Sequence, residues 1–276
     1  AMLAISTMLS LVSCDMFRFR SKINAEPLSE QDLVRLLVNA INDKKASADS
    51  YAAIPEIQRD GLSYSYFIQF VDIMTGISQS NSDNRSVSSF RLMTDADVED
   101  ATDGFEDSYY GNIVGAELLY GEEQQSCGVY LLFSEEEDGM PYLSEEWISD
   151  VIDLYNYGEH YFDMIDSENT DGLFTLLRPG LPDAYTDEAV RTVANEVISY
   201  YEISVRGDLS DRMRSMVTLL LPNHIHITIP ETLNISSNRL VRHDVDIITE
   251  NGAYDIIDEI PVNPDMALSQ VSRNDE

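Results

Sequence analysis

The chain has few basic side chains. Seventeen Lys and Arg stand against 50 Asp and Glu, which gives a formal net charge of −33 over 276 residues. Nucleic-acid binding depends on clustered Lys and Arg that contact phosphates, so this composition argues against a nucleic-acid partner. Hydrophobic residues make up 43% of the chain and charged residues 24%. The chain can therefore bury a core, and its length allows two small domains or one large one.

Cysteines and enzyme motifs are also scarce. The two cysteines, Cys14 and Cys127, exclude a disulfide-rich scaffold. Cys127 lies in a strand-like run, where a lone cysteine is most often a small core residue. A catalytic thiol needs a His base, and no His lies near Cys127 in the sequence. The chain has no GxSxG, HExxH, P-loop or GxGxxG motif, so the sequence predicts no catalytic residue.

The N-terminal region contains a predicted targeting signal. Residues 2–13 form an uncharged, mostly apolar run, which is too short for a bilayer span of roughly 20 residues but suits the apolar segment of a secretion signal. The run ends in Leu11-Val12-Ser13-Cys14, which resembles the lipobox of bacterial lipoproteins. The resemblance implies cleavage before Cys14 and diacylglycerol on its sulfur. We therefore predict a signal peptide over 1–13, with an incomplete basic n-region, and a lipidated tether over 14–28.

Lipid on Cys14 implies a cellular location for the protein. Two acyl chains hold a protein on a membrane, here the outer face of the bacterial cytoplasmic membrane, and a Gram-positive organism fits best. Asp15 directly after Cys14 would also suit retention at the inner membrane of a Gram-negative cell. The alternative is a buried N-terminal helix with an ordinary cysteine, but residues 15–22 do not continue the apolar run.

The remaining chain contains the same pattern twice. Ser63 and Thr186 each precede apolar residues at i, i+3, i+4 and i+7, the spacing of one helical face. Each copy then becomes strand-like and ends in a hairpin with glycine, at Gly139 and Gly252. We predict an α+β fold of two tandem modules, each with N-terminal helices packed on a curved antiparallel sheet. The modules span 29–143 and 144–262, and a loose tail follows over 263–276.

This order of elements resembles the nuclear-transport-factor-2-like superfamily, which includes ketosteroid isomerase and SnoaL-like enzymes. The second copy carries the better likeness, in residues 161–177 and in the closing hairpin 250–260. The resemblance implies helices that close a cone-shaped cavity inside a curved sheet. A cystatin-like arrangement of helix on sheet is the alternative. Pro222 interrupts the strand-like run 216–229, which requires a bulge or an edge position there.

The two copies join without a Gly/Ser/Pro linker. Ser144 caps a predicted helix of about 22 residues, longer than its counterpart in the first copy. We expect the first turns of this helix to pack on the first module, with Trp147, the single Trp, at the seam. The alternative is that Trp147 belongs only to the core of the second module.

An acidic stretch offers a candidate calcium site. Its carboxylates occupy positions 1, 3, 5, 9 and 12 of an EF-hand-like loop: Asp95, Asp97, Glu99, Asp103 and Glu106. Position 6, where such a loop needs Gly, holds Asp100. A solvated acidic loop is therefore the favoured interpretation, and a calcium site is the alternative.

Two histidines offer a candidate zinc site. His224 and His226 share one strand face with Thr228, and two His on one face can chelate zinc. A zinc site needs a third ligand and usually a fourth, and His243 is predicted to face the apolar side of another strand. The alternative is a polar sheet face or the mouth of the cavity.

These observations favour a non-enzymatic, membrane-anchored lipoprotein that binds a ligand or serves an envelope assembly. Its expected partners are the membrane, through lipid on Cys14, and an unknown small ligand or envelope protein, with no cofactor other than the alternative of calcium. A second hypothesis is an isomerase- or hydrolase-like enzyme that uses a pocket carboxylate. A third is a calcium-dependent surface module built on the acidic stretch.

Overall fold

The computed structural model describes residues 28–258, except 81, 83–84, 103–111, 122–124, 138, 181–184, 206–207, 222, 235–237 and 251–252. The predicted signal peptide, Cys14 and the tail 263–276 therefore lie outside the described residues. Within the described part of the chain, no helix combines the length and apolar character needed to cross a membrane.

The first module begins with helices and ends in a sheet. Helices α1 (Glu30–Asn42), α2 (Ser47–Ala52) and α3 (Tyr64–Ser80) come first, with 3₁₀ turns at Lys44–Ala46 and Gln58–Asp60. Strand β1 (Ser89–Leu92), helix α4 (Asp95–Thr102) and strands β2 (Asn112–Tyr120), β3 (Gln125–Glu135) and β4 (Pro141–Leu143) follow. The strands form a curled antiparallel sheet in the order β1-β2-β3-β4, called sheet A here.

The second module repeats this order. Helices α5 (Glu145–Asp166), α6 (Thr170–Leu177), α7 (Asp187–Ser204) and α8 (Leu209–Met216) come first, with a 3₁₀ turn at Arg178–Gly180. Strands β5 (Val217–Leu221), β6 (His224–Asn234), β7 (Arg239–Glu250) and β8 (Ala253–Asp258) form an antiparallel sheet in the order β5-β6-β7-β8, called sheet B here. The α+β fold of two tandem modules that the sequence predicts is therefore confirmed.

Side-chain caps define where the main helices begin. Ser29 forms a capping box with Asp32 before α1. The hydroxyls of Ser144 and Thr186 accept backbone N–H groups at the starts of α5 and α7, each at 3.2 Å. Such a cap satisfies an N–H group that has no partner within the helix. The 22-residue α5 matches the predicted length and start.

The sheet of the second module differs from the sequence prediction at one place. The run 216–229 is predicted as one strand that needs a bulge or an edge position at Pro222, but β5 ends at Leu221 and β6 begins at His224. The run is therefore two antiparallel strands, and Pro222 itself lies outside the described residues. Proline cannot donate a ladder hydrogen bond, which is consistent with β5 ending at Leu221.

The two modules contribute to one hydrophobic core. Trp147 of α5 is 1% exposed and packs edge-on against Phe70 of α3, with ring centroids 5.2 Å apart. Gly76 of α3 faces Arg214 of α8, and a Cβ at Gly76 would lie 2.6 Å from Arg214 Cδ. The absence of a side chain at Gly76 thus permits a close approach of helices from the two modules. The structure places Trp147 at this seam.

Candidate functional site

The outer face of sheet B carries a polar cluster. Along β6, three isoleucines alternate with three polar residues. The isoleucines are Ile225, Ile227 and Ile229, each 0% exposed. His224 and His226 therefore lie on the face turned away from the core, as strand alternation predicts.

Strand β7 brings a carboxylate to both histidines. In the antiparallel register of β6 and β7, Asp246 lies opposite His226. Asp246 Oδ1 lies 2.6 Å from His224 Nε2 and 2.6 Å from His226 Nδ1. One carboxylate oxygen thus bridges two imidazole rings. We call His224, His226 and Asp246 the His–Asp cluster.

The cluster has unusual electrostatics for a sheet surface. Partial burial acts to raise the pKa of Asp246, but the hydrogen bonds from His224 and His226 and the charges of both rings outweigh it and hold that pKa well below its usual range. The hydrogen bond to Asp246 raises the pKa of His226 above its usual value, against the effect of burial. Asp246 is therefore held as an anion between two rings.

A second carboxylate lies behind the cluster. Asp244 Oδ1 is 3.6 Å from His226 Nε2, the ring nitrogen that does not face Asp246. Thr228 Oγ1 donates a hydrogen bond to Asp244 at 2.9 Å, and Arg242 Nε donates another at 2.8 Å. Asp244 is thus fixed by its own neighbours next to the outer side of the His226 ring.

The His–Asp cluster has the chemistry of a metal site. Its three donor atoms, two imidazole nitrogens and one carboxylate oxygen, lie within 4.8 Å of one another. These are ligand types that zinc and other first-row divalent ions prefer. The sequence singles out both histidines but misses Asp246. Polar and apolar residues alternate over Asp244, Val245, Asp246 and Ile247, which indicates that Asp246 lies on the outer face of the sheet. The strand register that brings Asp246 to the histidines cannot be predicted from local sequence.

The inner face of sheet B holds a different polar group. His243 is buried, as predicted, and its Nε2 lies 2.5 Å from Asp258 Oδ1. Asp258 is 0% exposed, and its other oxygen accepts hydrogen bonds from Tyr161 Oη at 2.8 Å and Tyr201 Oη at 2.6 Å. These four side chains form the Asp258 network. The sequence shows tyrosines clustered around the helices of the second copy, Tyr161 and Tyr201 among them, but no local pattern connects them to Asp258.

Burial and charge keep the two phenols protonated. Burial, together with the nearby charge of Asp258, raises the pKa of Tyr161 and of Tyr201 well above the usual value. Both tyrosines therefore act as hydrogen-bond donors to Asp258 at neutral pH. Both oxygens of Asp258 are engaged by donors, so the network fills the interior between α5, α7 and sheet B with its own side chains.

A surface cavity lies beside the first half of β7. Its volume is about 340 Å³, and Tyr200, His243, Asp244 and Asp246 are among the residues that line it. Asp258, Tyr161 and Tyr201 do not line it. The cavity thus reaches one carboxylate of the His–Asp cluster and the edge of His243, but not the buried carboxylate.

The sequence predicts that the acidic stretch is a loop. In its described part, residues 95–102, the structure has a helix instead. Asp95, Asp97 and Glu99 lie on helix α4. Thr94 and Asp97 form reciprocal hydrogen bonds at the start of this helix, with Thr94 Oγ1 donating to Asp97 Oδ2 at 2.7 Å. This capping box and the favourable position of carboxylates in a first helical turn explain the helix. A helix cannot supply the EF-hand-like loop geometry, and Asp103 and Glu106 lie outside the described residues.

The buried Cys127 is expected to react slowly with thiol reagents. Burial raises the pKa of its thiol to about 11, which lowers the thiolate fraction at pH 8 about 100-fold compared with an unfolded chain. In the full chain carrying Cys14→Ser, we expect Ellman's reagent to modify the native protein at least about 100-fold more slowly than the protein in urea. Fast modification of the native protein would instead reveal an accessible, reactive thiol.

Comparison of the chain with protein-family models, with curated proteins and with solved structures finds no match.

Proposed function

We propose that this protein is a lipid-anchored, extracytoplasmic protein without catalytic activity, which binds a partner or ligand through its outer surfaces or acts as a scaffold in the cell envelope. Lipid on Cys14 would hold it on the outer face of the cytoplasmic membrane of a bacterium. Its two modules would be distant members of the nuclear-transport-factor-2-like group, which is where the order of their elements points.

The observation that carries the proposal is the Asp258 network. An enzyme of the ketosteroid-isomerase kind, which the order of elements resembles, needs a carboxylate exposed to substrate in the interior of its module. The buried carboxylate of the second module is instead surrounded by Tyr161, Tyr201 and His243, and the neighbouring cavity does not reach it. A module whose interior is occupied by its own side chains is suited to binding at its surface.

The proposed membrane anchoring depends on the lipobox-like residues 11–14. Residues 11–14 precede the described body of the protein, which begins at Leu28. A formal charge of −33 makes electrostatic attraction of the whole chain to an anionic membrane unfavourable. A covalent lipid is therefore the anchor that this chain is best equipped to use.

Replacing Cys14 by serine is expected to release the protein from the membrane. Buried acyl chains contribute about 0.8 kcal/mol per methylene group, so the loss of diacylglycerol removes most of the binding free energy. In native cells producing the full chain, we expect the fraction of protein in washed membranes to fall at least about tenfold. Mass spectrometry of the wild-type protein should find a mature N-terminus at lipid-modified Cys14.

Cys127→Ser is the matched control. It removes the other cysteine, which is buried in the folded protein, and should leave the membrane fraction unchanged. A Cys14→Ser protein that stays in salt-washed membranes would overturn the anchoring part of the proposal.

A further inference from the structure

The geometry points to a divalent transition-metal site at His224, His226 and Asp246 on the outer face of sheet B, with zinc as the ion that fits the donor set best. The inference goes beyond the proposed function and is independent of it, because it concerns only side chains of the second module. It holds whether or not lipid is attached to Cys14.

The distances suit a small ion. A zinc ion bound at about 2.0–2.1 Å by each ligand holds neighbouring ligand atoms about 3.4 Å apart in tetrahedral geometry. Asp246 Oδ1 now lies 2.6 Å from each of the two ring nitrogens. Each of these pairs would have to open by about 0.8 Å to admit the ion.

Metal binding replaces the two hydrogen bonds that hold the cluster together. His224 would present the lone pair of Nε2 to the ion, and His226 that of Nδ1. Each neutral ring then carries its proton on its other nitrogen, and any extra proton on a ring is released to solvent. Asp246 is already an anion in this position, so the carboxylate needs no change of charge.

Asp244 would orient one of the ligands. When Nδ1 of His226 binds the ion, Nε2 carries the proton and points at the Asp244 carboxylate 3.6 Å away. Metal-bound histidines usually donate their other N–H to a carboxylate, a carbonyl or water in this way. Thr228 and Arg242 hold Asp244 in place. Asp244 is thus a positioning residue in this site.

The site would have an open coordination position. The side chains of His226 and Asp246 are 25% and 30% exposed, whereas that of His224 is 8% exposed. The cavity of about 340 Å³ also borders Asp246. Three protein ligands with solvent access leave room for a water molecule or an exogenous ligand as the fourth. This is the arrangement of a site that exchanges ligands with solvent.

The test measures binding of the metal ion alone. The full chain carrying Cys14→Ser, freed of metal with EDTA and then desalted, is titrated with Zn²⁺ in competition with a chromogenic chelator. We expect one tight equivalent. His226→Gln or Asp246→Asn should weaken it at least about 100-fold, and Asp244→Asn about 10- to 100-fold.

His160→Gln is the matched control, because His160 is an exposed histidine of α5 far from the cluster in sequence. It should leave zinc affinity unchanged. Circular dichroism in EDTA shows whether each variant folds. A chain with so many carboxylates also binds cations weakly and non-specifically, and that binding should be equal in all variants.

A second measurement does not depend on variants. X-ray absorption of the zinc-loaded protein should show two imidazole ligands and oxygen donors at about 2.0–2.1 Å. The inference is overturned if zinc binds only weakly and equally to the wild type and the cluster variants, or if the absorption spectrum shows oxygen ligands alone. Either result would leave the cluster as a hydrogen-bonded His–Asp–His bridge.

Discussion

Replacing Asp258 by alanine is expected to lower the free energy of unfolding by about 3–5 kcal/mol. Tyr161 and Tyr201 donate to one oxygen of this fully buried carboxylate, and His243 lies against the other. Alanine would leave three polar groups in the interior without their acceptor, and each unsatisfied buried group costs about 1–3 kcal/mol. A folded domain has only about 5–15 kcal/mol in total. Urea unfolding followed by far-UV circular dichroism measures the loss.

A graded series separates the network from ordinary loss of packing. Tyr161→Phe or Tyr201→Phe removes one donor and leaves Asp258 with its other partners, so each should cost about 0.5–1.5 kcal/mol. Asp258→Asn keeps the size and one acceptor oxygen, and should cost less than alanine. The exposed Asp211, in the first turn of α8, is the control, because its replacement by alanine should cost at most about 1 kcal/mol.

Equal unfolding midpoints for Asp258→Ala and Asp211→Ala would contradict the structure of the interior. The hydrogen bonds to Asp258 would then add nothing to stability, and the polar groups would have to find water instead. That result would also remove the support that the filled interior gives to a non-catalytic function.

Local signals in the sequence predict helices followed by strands in each module, but not helices α4 and α8. The predicted capping residues Ser144 and Thr186 mark helix starts because a side-chain oxygen has to satisfy the first free N–H groups. Apolar spacing gives the buried face of each helix, and strand alternation places His224 and His226 opposite the isoleucines of β6. These features depend on residues within a few positions of one another.

The acidic stretch shows how one local signal can hide another. Its carboxylates match most of the spacing of a calcium loop, and that match favours a loop. The capping box of Thr94 and Asp97 was also present in the sequence, and in the structure it starts helix α4. A calcium loop needs its glycine for the sharp turn, and this stretch lacks it. A capped helix, in contrast, satisfies its first backbone N–H groups with hydrogen bonds from the capping box.

Both polar groups of sheet B depend on contacts that the sequence does not reveal. Asp258 lies 97 residues from Tyr161 and 57 from Tyr201 along the chain. Asp246 meets His226 only in the observed register of β6 and β7, and a slip of one residue would turn it to the other face. Successive side chains of β7 point to opposite faces of sheet B. His243 therefore belongs to the Asp258 network in the interior, and Asp244 and Asp246 lie at the His–Asp cluster on the outer face.

Replacing Trp147 by alanine is expected to destabilise the protein by about 3–5 kcal/mol and to loosen the contact between the modules. Trp147 is 1% exposed and packs on Phe70 of the first module. Since the chain has a single Trp, its fluorescence reports on the surroundings of Trp147. We expect Phe70→Ala, a change in the other module, to shift the Trp emission to longer wavelength and to lower the unfolding midpoint.

A double-mutant cycle of Phe70→Ala and Trp147→Ala should give a coupling free energy of about 1 kcal/mol, the value typical of edge-to-face aromatic pairs. Ile57, which is 77% exposed in the first module, is the control, since its replacement by alanine should change neither the emission nor the midpoint. Unfolding followed by Trp fluorescence and by far-UV circular dichroism should coincide if the shared core makes the modules unfold together. If the two transitions are separate and Phe70→Ala leaves the Trp emission unchanged, Trp147 belongs to the core of the second module alone.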